Sequence, residues 1–323
     1  MKRFVNILYV AQSGNNQEAA IARAVSLAQN NQARLTVMDI TPPPKTGFGI
    51  LRGRLEPEQL AASLLTERRK ALEALIAPYR DSLSIQVEVS MGIHFLEVVR
   101  AVLRNAHDLV IKPTQTPLLI NRLFGSDDMH LLRKCPCPVW LMKQDEPSNY
   151  ACILAAVDFD FSDRDLDEHG LNQQILQLAS SLALSDFAEL HLVHTWEAPE
   201  ASYVRAWVEN PDATEQAYIE GELMERQRRM RELMQRLPAW IGSDAAEHLS
   251  PHIHLPMGKP GEEIPALADA LKADLVVMGT VARTGIPGLI IGNTAESIID
   301  LLQCSVLAIK PVGFTTPVTI SAD

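Results

Sequence analysis

The segment GSDDMHLLRKCPCPVWLMK (Gly125 to Lys143) lays over GNTAESIIDLLQCSVLAIK (Gly292 to Lys310) without a gap. Gly125 meets Gly292, Cys137 meets Cys304, Val139 meets Val306 and Lys143 meets Lys310. Further upstream, MGIHFLEVVRAVLRNAHDLVI aligns with MGKPGEEIPALADALKADLVV, which pairs Met91-Gly92 with Met257-Gly258 and Asp108 with Asp274. The starts match as well, NILYVAQ (Asn6 to Gln12) against CILAAVD (Cys152 to Asp158). A chain that repeats itself in this way must fold as two copies of one unit. The polar stretch QDEPSNY (Gln144 to Tyr150) marks the join, giving domains 1–146 and 147–323.

Each copy alternates short apolar runs with stretches of helical period. FVNILYV is too short for a helix and carries β-branched residues. Ile21, Ala24, Val25 and Ala28 then recur at helical spacing, as do Ile175, Leu178, Ala179 and Leu182 in the second copy. A long helix is expected from about Glu58 to Pro78, after the breaker-rich TPPPKTGFGILRGRL. Apolar strands that alternate with helices imply a parallel sheet covered on both faces, joined by right-handed crossovers. The fold class is therefore α/β, two tandem doubly wound five-stranded parallel-sheet (Rossmann-like) domains. In such sheets ligands bind beyond the carboxyl ends of the strands, where the strand order reverses.

DLVVMGTVARTGIPGLIIGNT (residues 274–294) places a glycine-punctuated loop at that edge. Small residues between a strand and a helix let backbone N–H groups approach a phosphate. A plain strand-loop-helix turn has the same glycines, so spacing alone does not decide between the two.

The architecture, together with VMGTVARTGIPGLIIGNTAESIIDLLQCSVLAIKP, resembles the universal stress protein family, and the doubled copy looks like its tandem, UspE-type members. The resemblance implies a loop of the form G-x2-G-x9-G-(S/T) in ATP-binding members, with an Asp at the end of the first strand facing adenine and ribose. Carried over residue by residue, Gly279 and Gly292 match the outer glycines and Asp158 matches the strand-end acid. Ala282 stands at the middle glycine, and Asn293, followed by Thr294, stands where Ser or Thr is expected. A methyl at Ala282 crowds a phosphate, and a positive φ there costs about 1 kcal/mol. Asn293 can still cap the following helix. In the first copy Gln12 replaces the acid and Pro113, which has no N–H, aligns with Gly279; only Gly125-Ser126 survives. The first domain therefore reads as a degenerate, mostly structural copy.

The resulting expectation is a cytoplasmic, non-catalytic binding or scaffold module. Its alternatives are an ATP or ADP switch with Mg in the second domain, a weak ATPase at most, and a carrier of a small apolar ligand. A formal net charge of −11 argues against nucleic acid as a partner, and no apolar run is long enough to span a membrane. SGNN (Ser13 to Asn16) lacks the second glycine and Asp-Ser end of an ATP pyrophosphatase loop, and no nucleophile, base and orienting group are visible together. The four cysteines show no zinc spacing. His191 and His194, on opposite faces of one strand, and His252 and His254, on one face of the next, fall on strands expected to be neighbours, more simply as satisfied edge residues than as metal ligands. Tyr203, Val204, Trp207 and Val208 form an apolar cluster in an insertion, suited to packing or to a lid near Asp158. The last strands, Val139 to Lys143 and Val306 to Lys310, could pair within the chain as a pseudo-dimer, with a homodimer of the whole chain left open.

Overall fold

The computed structural model describes residues 4–12, 17–43, 57–114, 124–143, 147–159, 170–198, 200, 211–280 and 292–320. The loop positions Ala282, Gly285, Pro287 and Gly288, the SGNN stretch and the Tyr203–Val208 cluster lie outside the described residues. The chain divides into two compact units. One runs to Ser148 and takes in Thr280, Gly292 and the segment beginning at Ser305; the other comprises Asn149–Gly279 and Asn293–Cys304. Both are Rossmann-like, with strands and helices in alternation.

In the first unit the strands are β1 (Asn6–Val10), β2 (Arg34–Thr41), β3 (Ile85–Met91), β4 (Leu109–Pro113) and β5 (Val139–Met142). They alternate with helices α1 (Glu18–Asn31), α2 (Pro57–Ile76), α3 (His94–Asn105) and α4 (Ser126–Lys134). The long second helix thus ends two residues before Pro78, and a single 3-10 turn (Ala77–Tyr79) carries the proline. The order β3-β2-β1-β4-β5 is parallel throughout. It reverses at β1, which has β2 on one side and β4 on the other. All five residues of β1 are buried, as a strand covered on both faces requires.

The sixth strand of this unit is β10 (Ser305–Ile309), which pairs antiparallel with β5. Val306 faces Leu141, Leu307 faces Trp140 and Ala308 faces Val139. The Ser305 hydroxyl accepts the Lys143 N–H at 3.1 Å, which closes the end of the ladder.

In the second unit β6 (Cys152–Ala156), β7 (Glu189–Val193), β8 (His252–His254) and β9 (Leu275–Gly279) lie in the order β9-β6-β7-β8, all parallel. Its helices are α5 (Leu171–Asp186), α6 (Pro211–Ile241), α7 (Ser243–Leu249), α8 (Pro260–Leu271) and α9 (Asn293–Leu301). On α6, Met230, Leu233 and Leu237 are buried, Arg226 lies over the Trp196 ring, and Arg228 pairs with Glu225 and Glu232 on the solvated side.

The repeated residues do the same backbone work in each copy. Asp108 accepts the N–H groups of Val5 and Asn6 at 2.6 and 3.0 Å, and Asp274 accepts those of Ala151 and Cys152 at 2.7 and 3.1 Å. Each carboxylate ties the start of its unit's first strand to the start of the fourth. The glycines repeat for a steric reason. A Cβ on Gly92 would fall 2.8 Å from Cγ of Glu97, and one on Gly258 would fall 2.7 Å from Cγ of Glu263. At Gly258 a φ of +153° adds backbone strain for any other residue.

Candidate functional site

In the second unit the strand order reverses at β6, between β7 and β9, so the ligand edge lies at the carboxyl ends of β6 and β9. Ala156 is in register with Met278, which brings the chain segments carrying Asp158 and Gly279 to that edge. The Asp158 backbone is held on both sides by one side chain. Asn172, the second residue of α5, accepts the Asp158 N–H at 3.1 Å and donates its amide to the Asp158 carbonyl at 2.7 Å. The Asp158 carboxylate is left 69% exposed, with Oδ1 3.9 Å from Nδ1 of buried His194. His194 itself points Nδ1 at the Val157 carbonyl (3.3 Å) and packs against the Phe159 ring at 4.7 Å.

The first copy uses the same device at the equivalent place. Gln17, the residue before α1, accepts the Gln12 N–H at 3.1 Å, donates to the Gln12 carbonyl at 3.0 Å, and accepts the Tyr9 hydroxyl at 3.1 Å. Neither Gln17 nor Asn172 was singled out by sequence reasoning. The amide sits 5 residues from its strand end in one copy and 14 in the other, so no shared spacing exposes it.

Gly279 has a packing reason to be glycine. A Cβ there would fall 2.7 Å from Cδ2 of Leu171, the first residue of α5. The space beside this glycine is thus taken by a leucine. Gly292 donates its N–H to the Thr280 carbonyl at 2.9 Å, and Thr280 in turn donates to Ile309 at 3.1 Å. Asn293 and Thr294 are the first two residues of α9, so Gly292, not Asn293, stands at the cap position. The first copy matches this, with Gly125 as the cap of α4 and Ser126 as its first residue.

The ligand edge of the first copy, at the end of β4, is closed by an ion pair. Lys112 Nζ bonds to Oδ1 of Asp128, the third residue of α4, and each side chain is only 2% exposed. The other oxygen of Asp128 accepts the Gly125 N–H at 2.9 Å, capping the helix. In the second copy the corresponding residues are Met278 and Ala295, an apolar pair. His94, the first residue of α3, is pushed down to about 4, first by burial and then by the Lys112 charge, with Asp127 and Asp128 opposing. A histidine lowered on folding stabilises the fold at neutral pH and loses that contribution as pH falls from about 6.5 toward 4. Stability of the first unit is therefore expected to fall over that window by at most about 1.4 kcal/mol per pH unit from this residue. Histidine NMR should show His94 neutral at pH 5.5, and Lys112→Met should move its midpoint upward.

Three of the four histidines, those on β7 and β8, meet, while His194 packs against Phe159 instead. His191 Nδ1 lies 2.9 Å from His254 Nε2, the His191 and His252 rings stack at 4.9 Å, and Glu189 approaches His191 Nε2 at 3.4 Å. Burial, then His191 and His252, holds His254 below its ordinary value. Among the described residues, no group of three or more His, Cys, Asp or Glu is arranged to hold a metal ion. No helix of the described residues is long and apolar enough to cross a membrane.

The universal stress protein family model matches residues 4–143 and again 153–310, which together span most of the chain in two consecutive copies. The chain belongs to the universal stress protein family. Universal stress protein E of Photorhabdus laumondii is 29% identical over 335 residues, covering all of both chains. Universal stress protein E of Escherichia coli K12 is 30% identical over 334 residues, covering all of this chain and 99% of that one. A solved Pseudomonas aeruginosa protein of unknown function superposes with a TM-score of 0.64 at 26% identity, over 96% of this chain and 94% of that one. The protein is thus a tandem, UspE-like universal stress protein, and its role at the family level is in the stress response.

Proposed function

We propose that this universal stress protein is a cytoplasmic, non-catalytic binding or scaffold module, with the first copy serving structure alone. The observation that carries the reading is the occupancy of both ligand edges by the chain's own side chains. In the first copy a phosphate would meet the Asp128 carboxylate, and Pro113 offers no N–H. In the second, the space that Gly279 leaves is filled by Leu171. These two contacts support the scaffold reading over one in which phosphates are held at the strand ends.

One observation favours the alternative, an ATP or ADP switch in the second copy. Met278 and Ala295 form no ion pair there, and Asp158 presents an exposed carboxylate at the strand end. Native mass spectrometry of the full chain, first without nucleotide and then with Mg-ATP, separates the two readings. The scaffold reading expects an unchanged apo mass, and expects ATP affinity only after Ala282→Gly and Asn293→Ser together. One nucleotide adduct per wild-type chain, weakened by Asp158→Ala, would establish the switch instead. An adduct of unrelated mass would point to the small-molecule carrier, and the charge-state series reads out whether the chain is alone or a homodimer.

A further inference from the structure

The first unit holds a reactive group that neither ligand edge uses. Cys135 ends α4, its N–H bonded to the Leu131 carbonyl at 2.9 Å. Pro136 and Pro138 fix their own φ and keep Cys135 and Cys137 out of the helical region. The chain bends at Pro136 and Cys137, and the two Sγ atoms come to 3.5 Å. A disulfide needs about 2.05 Å between sulfurs, so closure asks for roughly 1.5 Å of side-chain movement. The second copy has Leu302 and Cys304 at the equivalent positions, so this dithiol belongs to one copy only.

β10 adds a third group. Lys310 follows the β5-paired residues of β10 and is 5% exposed, and among the described residues its Nζ has no hydrogen-bond partner. The Phe314 ring lies 4.8 Å from it. A buried amine without an acceptor is costly to keep unless it has a use. Burial pushes this amine down to about 8, and Cys135 is the charge that opposes the shift. The Cys137 thiol is pushed up, first by its hydrogen bond with Cys135 and then by burial.

We propose that Cys135 and Cys137 form a peroxide-reactive dithiol served by Lys310, closing to an intrachain disulfide. The neutral amine takes the Cys135 proton. The thiolate attacks one oxygen of a hydroperoxide, the O–O bond breaks, and the departing oxygen takes the proton back from Lys310 to leave as water. Cys137 then attacks the sulfenic sulfur, the S–O bond breaks, and a second water leaves with the Cys137 proton. Two thiols and one hydrogen peroxide thus give one disulfide and two waters, with sulfur oxidised and peroxide reduced. Cys135 is itself buried, so a small peroxide must reach its sulfur past Cys137, which is 9% exposed.

The test treats the reduced full-length protein with hydrogen peroxide, blocks remaining thiols under denaturing conditions, and maps peptides by mass spectrometry. The expected product is a Cys135–Cys137 link reversed by dithiothreitol, with Cys152 and Cys304 still in the thiol form; burial pushes the Cys152 thiol up to about 11. Cys137→Ser should stop at a sulfenic acid on Cys135 that dimedone traps. Lys310→Met and Lys310→Gln should each slow oxidation at least tenfold at pH 7.5 and abolish the rise in rate through pH 8. Equal oxidation of all four cysteines would overturn the proposal, as would a folded protein whose Cys135 and Cys137 stay reduced. A wild-type pH profile in both Lys310 variants would overturn the part given to the lysine.

Discussion

Lys112→Met is expected to cost the first unit about 3–5 kcal/mol, because it strands the Asp128 carboxylate in a site that is 2% exposed. For a unit of this size the loss corresponds to a melting transition lower by roughly 6–20 °C. The double change Lys112→Met with Asp128→Ala should recover most of it. Replacing a whole buried ion pair by apolar side chains is often neutral, whereas removing one partner is not. The second copy already carries that replacement, since Met278 and Ala295 occupy the equivalent positions and are both buried. Full recovery is not expected, because Asp128 also accepts the Gly125 N–H and losing that cap costs about 1 kcal/mol. Chemical denaturation of the four proteins gives the coupling energy directly. A single variant as stable as the wild type, or a double variant no better than the single, would mean that the pair is not held as the structure places it.

The contrast at this pair shows where sequence reasoning reaches and where it stops. The doubled fold was legible because equivalent residues do equivalent backbone work at constant spacing. Asp108 and Asp274 each fasten two strand starts, and Gly92 and Gly258 each make room for a glutamate five residues on. The strand-end positions Gln12 and Asp158 were legible for the same reason, though the amides that hold them were not. Gln17 and Asn172 reach the same place from different distances along the chain, and only the folded geometry equates them. Lys112 and Asp128 are 16 residues apart on a strand and a helix, and two charges in a sequence of ordinary charge content look like solvated surface. Gly279 was legible as the first glycine of the loop, but its contact with Leu171 is one that no local pattern reveals.

The largest disruption is expected from Leu307→Asp. Leu307 is 1% exposed and faces Trp140, itself 1% exposed, across the β5–β10 ladder. An aspartate there has no partner, so it must either be buried as a charge or take up a proton, and either route costs several kcal/mol. The cheaper response is for β10 to leave the sheet, which uncovers the edge of β5. That strand is VWLM, four buried residues with no charge and no proline to discourage pairing with another chain. Hydrogen exchange should then show β5 amides at least 100-fold less protected, while β1 and β2, which take their own hydrogen bonds from each other, hold theirs. The variant should also associate in a concentration-dependent way that Leu307→Val does not share. Unchanged β5 protection in Leu307→Asp would mean that β10 contributes no stability to the first unit. What makes β10 consequential is that it covers β5, a strand of four apolar residues with no charge of its own to discourage pairing.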